Sequence, residues 1–442
     1  MKGTATCAVT ESDAHVAGRL AQLFLLSAVT LATTFCRFEF GSIQEAMQRS
    51  LALTDTQVAW LQGPATAVPM ALAAIPLGLI VYRLPRRPLF FGIILAALAG
   101  IGIAASAPNL LVLAAARSIT GLAIAASLVA AYAMVCDIFG PAQRGRAMMV
   151  LTLSEVIAGP AAFALGGILL TLSISQGSAH WRSALLWMGV PLVPILPLTL
   201  LIRTPSQSLP RADVAAPDNW RGLWRYRAVI GPLLLARTMV WIADGAVLIW
   251  GAPTFARQYQ LSPGHVGAIL GSSLLIAGLA GPLLGGPLAD LLYGSGGPRR
   301  AMIALAALSF LSVAGGLFPI MPDPSLAAVF LTAFLATGYI IAVIATALVT
   351  IVIPETLRPV YLGLSITVGA VFSIGVAPLV VSWLTEFLQG TLASALAIVC
   401  IIASLLTSLI FAGSRSSFPP LHAPNADSGS QDVPSAIASF EP

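Results

Sequence analysis

The chain has 442 residues, of which 58% are hydrophobic and only 9% are charged, and its mean hydropathy is +0.92. A water-soluble domain carries about 25% charged residues, so this composition leaves too little polar surface to cover a soluble globule. A soluble enzyme and a nucleic-acid-binding protein are therefore excluded, despite the net charge of +5. The composition predicts an all-α polytopic membrane protein.

Runs of about 20 apolar residues, the length that crosses a bilayer as a helix, recur along the chain. Six fall near 19–41, 58–81, 89–107, 109–135, 147–171 and 183–202, and six near 228–254, 266–292, 300–320, 326–352, 360–384 and 391–412. They predict twelve transmembrane helices, numbered spans 1 to 12, in two six-helix bundles. The predicted parts are a tail (1–18), a first bundle (19–202), a cytoplasmic linker (203–227), a second bundle (228–412) and a disordered tail (413–442).

The basic residues predict the orientation. Most of those between the spans lie in the tails, the linker and alternate loops, and only Arg49, Arg182 and Arg257 lie in the opposite loops. The positive-inside rule then places both termini in the cytoplasm, and we expect the plasma (inner) membrane. Because topology accounts for the positive charge, no nucleic-acid partner is predicted. The four cysteines lack CxxC spacing, so neither a metal site nor a disulfide framework is predicted.

Two loop segments lie half a chain apart and repeat one pattern. GLIVYRLPRR (78–87) follows span 2, and GGPLADLLYGSGGPRR (285–300) follows span 8. Both resemble the G-x-L-a-D-R-x-G-R-R signature of the major facilitator superfamily, although Tyr82 stands where that family has aspartate. RSITGLAIAA (117–126) resembles the R-x-x-x-G motif of span 4 in the family, and DIFGPAQRGRA (137–147) resembles the segment that follows. Residues 54–78 look like the spinster-like and organic-anion branches.

This resemblance implies a secondary transporter, with two bundles around a central cavity that opens alternately to each side. It also implies a cytoplasmic gate in which Arg83 pairs with Asp137. Since Tyr82 supplies no carboxylate, the latch in the first half is expected to be weaker than the latch built on Asp290. The gate residues are Gly78, Arg83, Arg87, Asp137, Arg144, Gly286 and Asp290.

Charged residues within spans are costly in lipid and usually face a cavity or a partner. With the aromatic residues near them, they form the predicted pathway for substrate and protons: Arg37, Glu39, Arg117, Tyr132, Glu155, Arg237, Trp241, Asp244, Trp250 and Tyr339. Several alternatives stay open. Arg37 or Glu39 could extend outward to the membrane surface, and Glu155 could be neutralised by one of the arginines within the spans. Arg117 could be a hydrogen-bond anchor between spans, Asp244 could be a packing charge paired with another helix, and the aromatic residues could serve helix packing.

The sequence contains no G-x-x-x-x-G-K-[ST] phosphate loop, because its sole lysine is Lys2. ATP is therefore not predicted as the source of energy for transport. An ion gradient or the gradient of the solute must then drive transport. Three arginines within the spans favour a small organic anion, with coupling to protons through Glu155 or Asp244. The alternatives are an exporter of drugs or lipid-like amphiphiles, and a membrane sensor that does not transport. We expect a monomer among membrane lipids, with no cofactor and no enzymatic activity.

Overall fold

The computed structural model describes residues 4–81, 84–175, 181–203, 224, 226–353 and 357–417. Within these ranges the chain is helical and contains no β-strand. Twelve of the described helical segments are long and apolar enough to cross a membrane. The predicted all-α fold with twelve spans is therefore confirmed, and the protein is a multi-pass integral membrane protein.

The first six spans occupy the chain up to residue 201. Their helices are Thr4–Phe38, Gln44–Ser50, Asp55–Gln62, Pro64–Ile80, Arg86–Ser106, Leu110–Ile138, Pro141–Ser175, Trp181–Gly189 and Ile195–Leu198, with 3₁₀ turns at Val190–Leu192 and Thr199–Leu201. Gln44–Ser50 is a short helix between spans 1 and 2. Span 6 is interrupted because Pro191, Pro194 and Pro197 each remove a backbone N–H from the helical ladder.

The last six spans follow from residue 227. Their helices are Arg227–Tyr259, Pro263–Gly315, Pro324–Val352, Arg358–Gly369, Ala377–Phe387 and Leu392–Ser414, with 3₁₀ turns at Phe318–Ile320 and Arg415–Ser417. A π-helical turn at Ala370–Val376 lies in the middle of span 11. The segment Pro263–Gly315 contains two spans, because the chain breaks at Gly297 with φ 68°. Glycine adopts this left-handed conformation at no steric cost.

Local sequence fixes several helix starts. The Thr54 hydroxyl accepts a hydrogen bond from the Gln57 backbone N–H, and the Gln57 side chain accepts one from the Thr54 backbone N–H. This reciprocal capping box satisfies donors that the first helical turn would otherwise leave unpaired. Asp323 caps the first turn of span 10 in a related way, accepting from the N–H groups of Ser325 and Leu326. These caps therefore fix where spans 2 and 10 begin.

By spatial contact the chain divides into two compact units. Unit 1 comprises 1–211, 248–275 and 374–383, and unit 2 comprises 212–247, 276–373 and 384–442. Leu26, Phe90 and Trp181 are among the fully buried residues of unit 1, and Leu305 and Ile344 are among those of unit 2. The division cuts spans 7, 8 and 11. The division into bundles 19–202 and 228–412 stays a prediction, and most of the linker and the final tail lies outside the described residues.

Candidate functional site

A phenol, a carboxylate and a guanidinium come together in unit 1. The Tyr132 hydroxyl, on span 4, donates a 2.9 Å hydrogen bond to Glu155 Oε1 on span 5. Arg37, at the end of span 1, lies near enough to interact electrostatically with the Glu155 carboxylate, and its guanidinium stacks on the Phe38 ring at 5.1 Å. All three polar residues are partly buried. Three sequence-predicted residues from three spans therefore form one cluster, here called the Glu155 cluster.

Arg117 has a different environment, because its guanidinium bonds to the protein itself. It is 1% exposed, and Nη1 and Nη2 donate to the carbonyl oxygens of Cys36 and Arg37 at 3.0 and 3.2 Å, while Nε donates to Thr66 Oγ1 at 3.1 Å. Those carbonyls belong to the last turn of span 1, where no intrahelical donor remains and the helix dipole is negative. The geometry favours the anchor interpretation of Arg117.

Glu39 is the acidic partner of that anchor. Its Oε1 lies 3.5 Å from Arg117 Nη1, and the side chain is 1% exposed. Within the described part of the chain neither of its carboxylate oxygens receives a hydrogen bond from an N–H or O–H group, and the Cys36 thiol lies beside the carboxylate. The Phe40 ring lies 5.1 Å from the Arg117 guanidinium carbon and covers the pair. Glu39 therefore belongs to the Arg117 anchor rather than to the Glu155 cluster.

In unit 2 the structure places Arg237 against an aromatic face. Its guanidinium carbon lies 4.8 Å from the centre of the Trp241 ring, and Nη1 is buried without a hydrogen-bond partner among the residues described. The Trp241 ring also packs against Gly369, where an added Cβ would lie 3.0 Å from Cε2 of the ring. Arg237 Nη1 is therefore a buried hydrogen-bond donor that has no acceptor among the described residues.

Asp244 lies two turns beyond Arg237 on span 7. The two interact electrostatically, but no ion pair or hydrogen bond to Asp244 is found in the described ranges. Its carboxylate instead lines a small cavity with side chains of spans 9, 10 and 12. The open alternative of a charge paired directly with another helix therefore finds no partner among these residues.

The remaining predicted aromatic residues have packing contacts. Trp250 is fully buried and its Nε1 donates to the Pro378 carbonyl at 3.0 Å, within unit 1. Tyr339 packs in unit 2 against Gly281, where an added Cβ would collide with the tyrosine Cβ. These contacts favour the helix-packing interpretation of both residues. Their place in a substrate pathway stays a prediction.

At the predicted cytoplasmic gate, Asp137 has a basic partner. Arg86 Nη2 lies 2.9 Å from Asp137 Oδ2, and Arg86 Nη1 donates to the Val81 carbonyl at 2.9 Å. Arg83, the predicted partner, and Tyr82 lie outside the described residues. Arg86 is 5% exposed, so Asp137 pairs with a buried arginine three residues beyond the predicted one.

Other gate arginines bond to helix ends. Arg144 donates to the carbonyls of Cys136 and Phe139, both at 3.0 Å, and thereby closes the end of span 4. Arg87 Nε donates to the Ile202 carbonyl at 3.1 Å and ties span 3 to the end of span 6. Both residues therefore hold adjacent helix ends in place.

The remaining gate residues lie open to the surface. Gly78 and Asp290 are exposed, and Gly286 is partly buried. No described residue forms an ion pair or hydrogen bond with Asp290. The latch predicted at Asp290 therefore has no contact among the described residues and stays a prediction.

A second polar network lies at the predicted outer side, and sequence reasoning did not select it. Arg257 donates to Glu45 Oε1 at 2.6 Å, to both Asp55 oxygens at 2.8 Å and to Gln48 Oε1 at 3.0 Å. All of these residues belong to unit 1. Glu45 lies in the first turn of the short helix between spans 1 and 2, Asp55 is the first residue of span 2, and Arg257 lies in the last turn of span 7. We call these four residues the Arg257 network.

The twelve described helices that are long and apolar enough to cross a membrane define a polytopic membrane protein. The sequence profile of the Major Facilitator Superfamily matches residues 23–252, more than half of the chain. The chain belongs to this superfamily, and it is a transporter and not an enzyme. Its substrate is therefore a small molecule, and its environment is the membrane.

Known proteins agree with this assignment. A protein described as an MFS-type efflux pump, from Mycolicibacterium smegmatis (strain ATCC 700084 / mc(2)155), is 28% identical over 365 residues, covering 80% of this chain and 82% of the relative. A bacterial homologue of the human lysosomal transporter Spinster, solved in an inward-facing and unoccupied conformation, shares the fold with a TM-score of 0.72. That match has 15% identity and covers 90% of this chain and 96% of the other.

The nucleoside transporter NupG is similar in fold, with a TM-score of 0.68, 11% identity, and coverage of 90% of this chain and all of that one. At such low identities the solved structures show the fold alone.

Proposed function

We propose that the protein is a secondary active transporter that moves a small organic anion by alternating access, coupled to protons. The observation that carries this proposal is the Glu155 cluster. A carboxyl group, a phenol that bonds to it and a nearby guanidinium are contributed by three spans. The Glu155 carboxyl group can release its proton when helix movement brings a basic side chain close, and bind a proton again when that side chain moves away. Both termini are assigned to the cytoplasm, at the plasma membrane.

The anionic charge of the solute is supported by Arg237. A buried donor without an acceptor costs free energy, about 1–3 kcal/mol in typical proteins, and Arg237 Nη1 is such a donor among the described residues. A carboxylate or phosphate oxygen of a solute would satisfy it. Guanidinium groups suit these ligands because their planar donors match two anionic oxygens. Arg237 is therefore the residue to which we assign the solute anion.

Proton coupling is assigned to Glu155 before Asp244. A low-dielectric surrounding disfavours the charged form of a carboxyl group, and a nearby arginine favours it. Glu155 has both influences within one cluster, which allows its charge to differ between two helix arrangements. Asp244 also interacts electrostatically with an arginine, Arg237, but it has no bonded phenol in the part of unit 2 that the structure describes, so it is the second candidate.

Export of drugs or lipid-like amphiphiles is the second candidate function. It is favoured by the 28% identity to a relative described as an efflux pump. Direction of transport separates it from uptake of an anion, and so does the charge of the solute.

The test is a transport assay with the purified protein in proteoliposomes. Radiolabelled monocarboxylates, dicarboxylates, phosphate esters and a cationic dye are offered with and without an imposed pH gradient, in sodium-free choline buffer. We expect accumulation of an anion above its equilibrium level, which a protonophore abolishes and protein-free liposomes lack. Accumulation of the cationic dye alone supports the exporter, and absence of uptake of every anion offered would contradict the proposed anion transport.

A further inference from the structure

A small cavity in unit 2 lies beside the Asp244 carboxylate. Its polar lining comes from Asp244 on span 7, Ser309 and Ser312 on span 9, and Ser404 and Thr407 on span 12, while Phe334 and Gly338 of span 10 close one side. All of these residues belong to the same unit. The cavity has room for about one water molecule. It is here called the Asp244 cavity.

The polar lining of the Asp244 cavity is dominated by acceptors. Ser309 Oγ donates its proton to the Leu305 carbonyl at 2.7 Å, and Thr407 Oγ1 donates to the Ala403 carbonyl at 2.7 Å. Each of these hydroxyls donates its only proton to a carbonyl of its own helix, so only its lone pairs remain available to a ligand. Ser312 and Ser404 are 3.3 Å apart and bond to one another. Most of the cavity surface is apolar, and its side-chain oxygens come from one carboxylate and four hydroxyl residues.

We propose that the Asp244 cavity binds one sodium ion. Hard cations take oxygen ligands such as carboxylates, hydroxyls and water, and a dehydrated sodium ion is of a size similar to water. One carboxylate balances one positive charge, whereas a divalent ion would leave an uncompensated charge in the bundle. Among the described residues that line the cavity, none is basic, so no side chain there occupies the position of the cation.

Arg237 lies too far from Asp244 to take the place of the cation. It lies seven residues before Asp244, which is about 10 Å along a helix axis, and its guanidinium is turned to the Trp241 ring at 4.8 Å. The electrostatic attraction between the two residues lacks the direct contact that would neutralise a buried carboxylate. The inference concerns ion binding in unit 2, so it goes beyond the proposed solute transport and does not require it.

The test measures binding of ²²Na⁺ to the purified full-length protein in detergent, together with thermal unfolding in sodium chloride against choline chloride at constant pH and ionic strength. We expect saturable binding of one ion per chain and a rise of Tm with sodium, because a ligand of the native state stabilises it by mass action. Asp244→Asn should abolish both effects. Ser404→Ala should weaken binding by about tenfold, which corresponds to about 1.4 kcal/mol.

Two further variants keep the test decisive if Asp244→Asn fails to fold. Gly338→Ala places a Cβ about 3.3 Å from Asp244 Oδ1 and should weaken sodium binding by narrowing the cavity. Ser408→Ala is the matched control, since Ser408 lies one turn from Ser404 but donates to the Ala306 carbonyl at 2.9 Å and does not line the cavity. It should bind sodium as the wild type does.

The proposal is overturned by wild-type protein that binds no ²²Na⁺ and has the same Tm in both salts. It is equally overturned by binding that Ser404→Ala and Gly338→Ala leave unchanged. A Tm that does not respond to sodium, and that depends on pH in the wild type but less so in Asp244→Asn, would assign a proton, not a metal ion, to Asp244. Since none of these measurements involves transport, failure of the sodium site leaves the proposed function untouched.

Discussion

Arg257 grips Asp55 with both of its terminal nitrogens: Nη1 lies 2.8 Å from Oδ2 and Nη2 lies 2.8 Å from Oδ1. Such a bidentate pair is among the stronger charge-assisted contacts because two parallel hydrogen bonds fix its geometry. Arg257 is in the last turn of span 7 and Asp55 is the first residue of span 2. The contact therefore fastens two spans at their predicted outer ends.

Replacing Arg257 by lysine should loosen this end of unit 1. Lysine is a point charge that cannot serve both Asp55 oxygens, Glu45 and Gln48 together. The loss is expected to be about 1–2 kcal/mol, since the side chains are partly exposed. The measurement is the labelling rate of a cysteine placed at the buried Met47, using a membrane-impermeant maleimide on protein without native cysteines. We expect the rate to rise about tenfold.

Arg49→Lys is the matched control for this experiment. Arg49 also approaches Glu45, at 3.5 Å, but its side chain is 75% exposed, and such pairs contribute little. Its labelling rate should equal that of the parent protein. Equal rates for Arg257→Lys and Arg49→Lys would show that the Arg257 network does not hold the spans together.

Arg117 should prove essential to stability rather than to solute binding. Arg117→Ala strands the buried Glu39 carboxylate and the carbonyls of Cys36 and Arg37, and removal of one partner of a buried ion pair costs about 3–5 kcal/mol. The double variant Arg117→Met with Glu39→Gln should recover part of this loss, because no charge remains unpaired. Thermal unfolding in detergent measures both effects. A stable Arg117→Ala protein that had lost only solute binding would restore Arg117 to the pathway.

The helical architecture was predictable because the length and polarity of apolar runs depend on the bilayer alone. The interruptions in span 6 also follow from the sequence, because each of its three prolines removes a backbone N–H. Contacts between distant residues were not predictable. Glu155 and Arg37 were selected as charged groups in lipid and Tyr132 as an aromatic residue near such charges, yet nothing in their spacing shows that Tyr132 bonds to Glu155. Charge in a span reveals which residues need a partner but not which partner they find.

Two groups of residues lay beyond the reach of sequence patterns. Arg257 and Glu45 are 212 positions apart, and an arginine that the sequence assigns to a loop carries only a topological signal. Ser309 and Thr407 are ordinary hydroxyl residues that bond to their own helices, as such residues commonly do. Only the packing of four spans brings these hydroxyls beside Asp244. Such sites need coordinates because each contributing residue is unremarkable in its own helix.

The charge of the solute can be tested at Arg37 and Arg237. If a solute anion contacts either residue, alanine at that position should weaken binding more than lysine does, because lysine retains the positive charge. We expect about a tenfold or greater loss of affinity for alanine, measured by competition with a labelled anion. Binding of a cationic drug that is undiminished in both alanine variants would count against an anionic solute.

The two loop motifs should differ in importance. Asp290 supplies the acidic residue of the second motif, whereas Tyr82 replaces it in the first. If the acidic residue forms the stronger latch in the state that is closed to the cytoplasm, Asp290→Asn should reduce the initial rate of transport, and Tyr82→Phe should leave it nearly unchanged. Initial rates in proteoliposomes at matched protein density provide the comparison. Near-normal rates in both variants would remove the argument for a latch at Asp290.

Proton coupling through Glu155 separates two activities that a transporter normally combines. Glu155→Gln keeps the size of the side chain and can still accept from the Tyr132 hydroxyl, but it cannot bind and release a proton. Exchange of labelled for unlabelled solute requires only movement of the loaded protein, so it should continue. Accumulation against a gradient requires a proton to enter on one side and leave on the other, so a pH gradient should no longer drive it.

Asp244→Asn is the comparison, because it removes the other carboxylate proposed for the proton. In sodium-free buffer it should still concentrate solute when a pH gradient is imposed, since the proton is assigned to a different group in a different unit. If Asp244→Asn loses accumulation and Glu155→Gln retains it, the proton belongs to Asp244. If both variants concentrate solute under a pH gradient alone, neither carboxylate couples transport to protons. The Glu155 cluster would then be a polar contact between spans 1, 4 and 5, and the driving force would have to come from the solute gradient or from another ion.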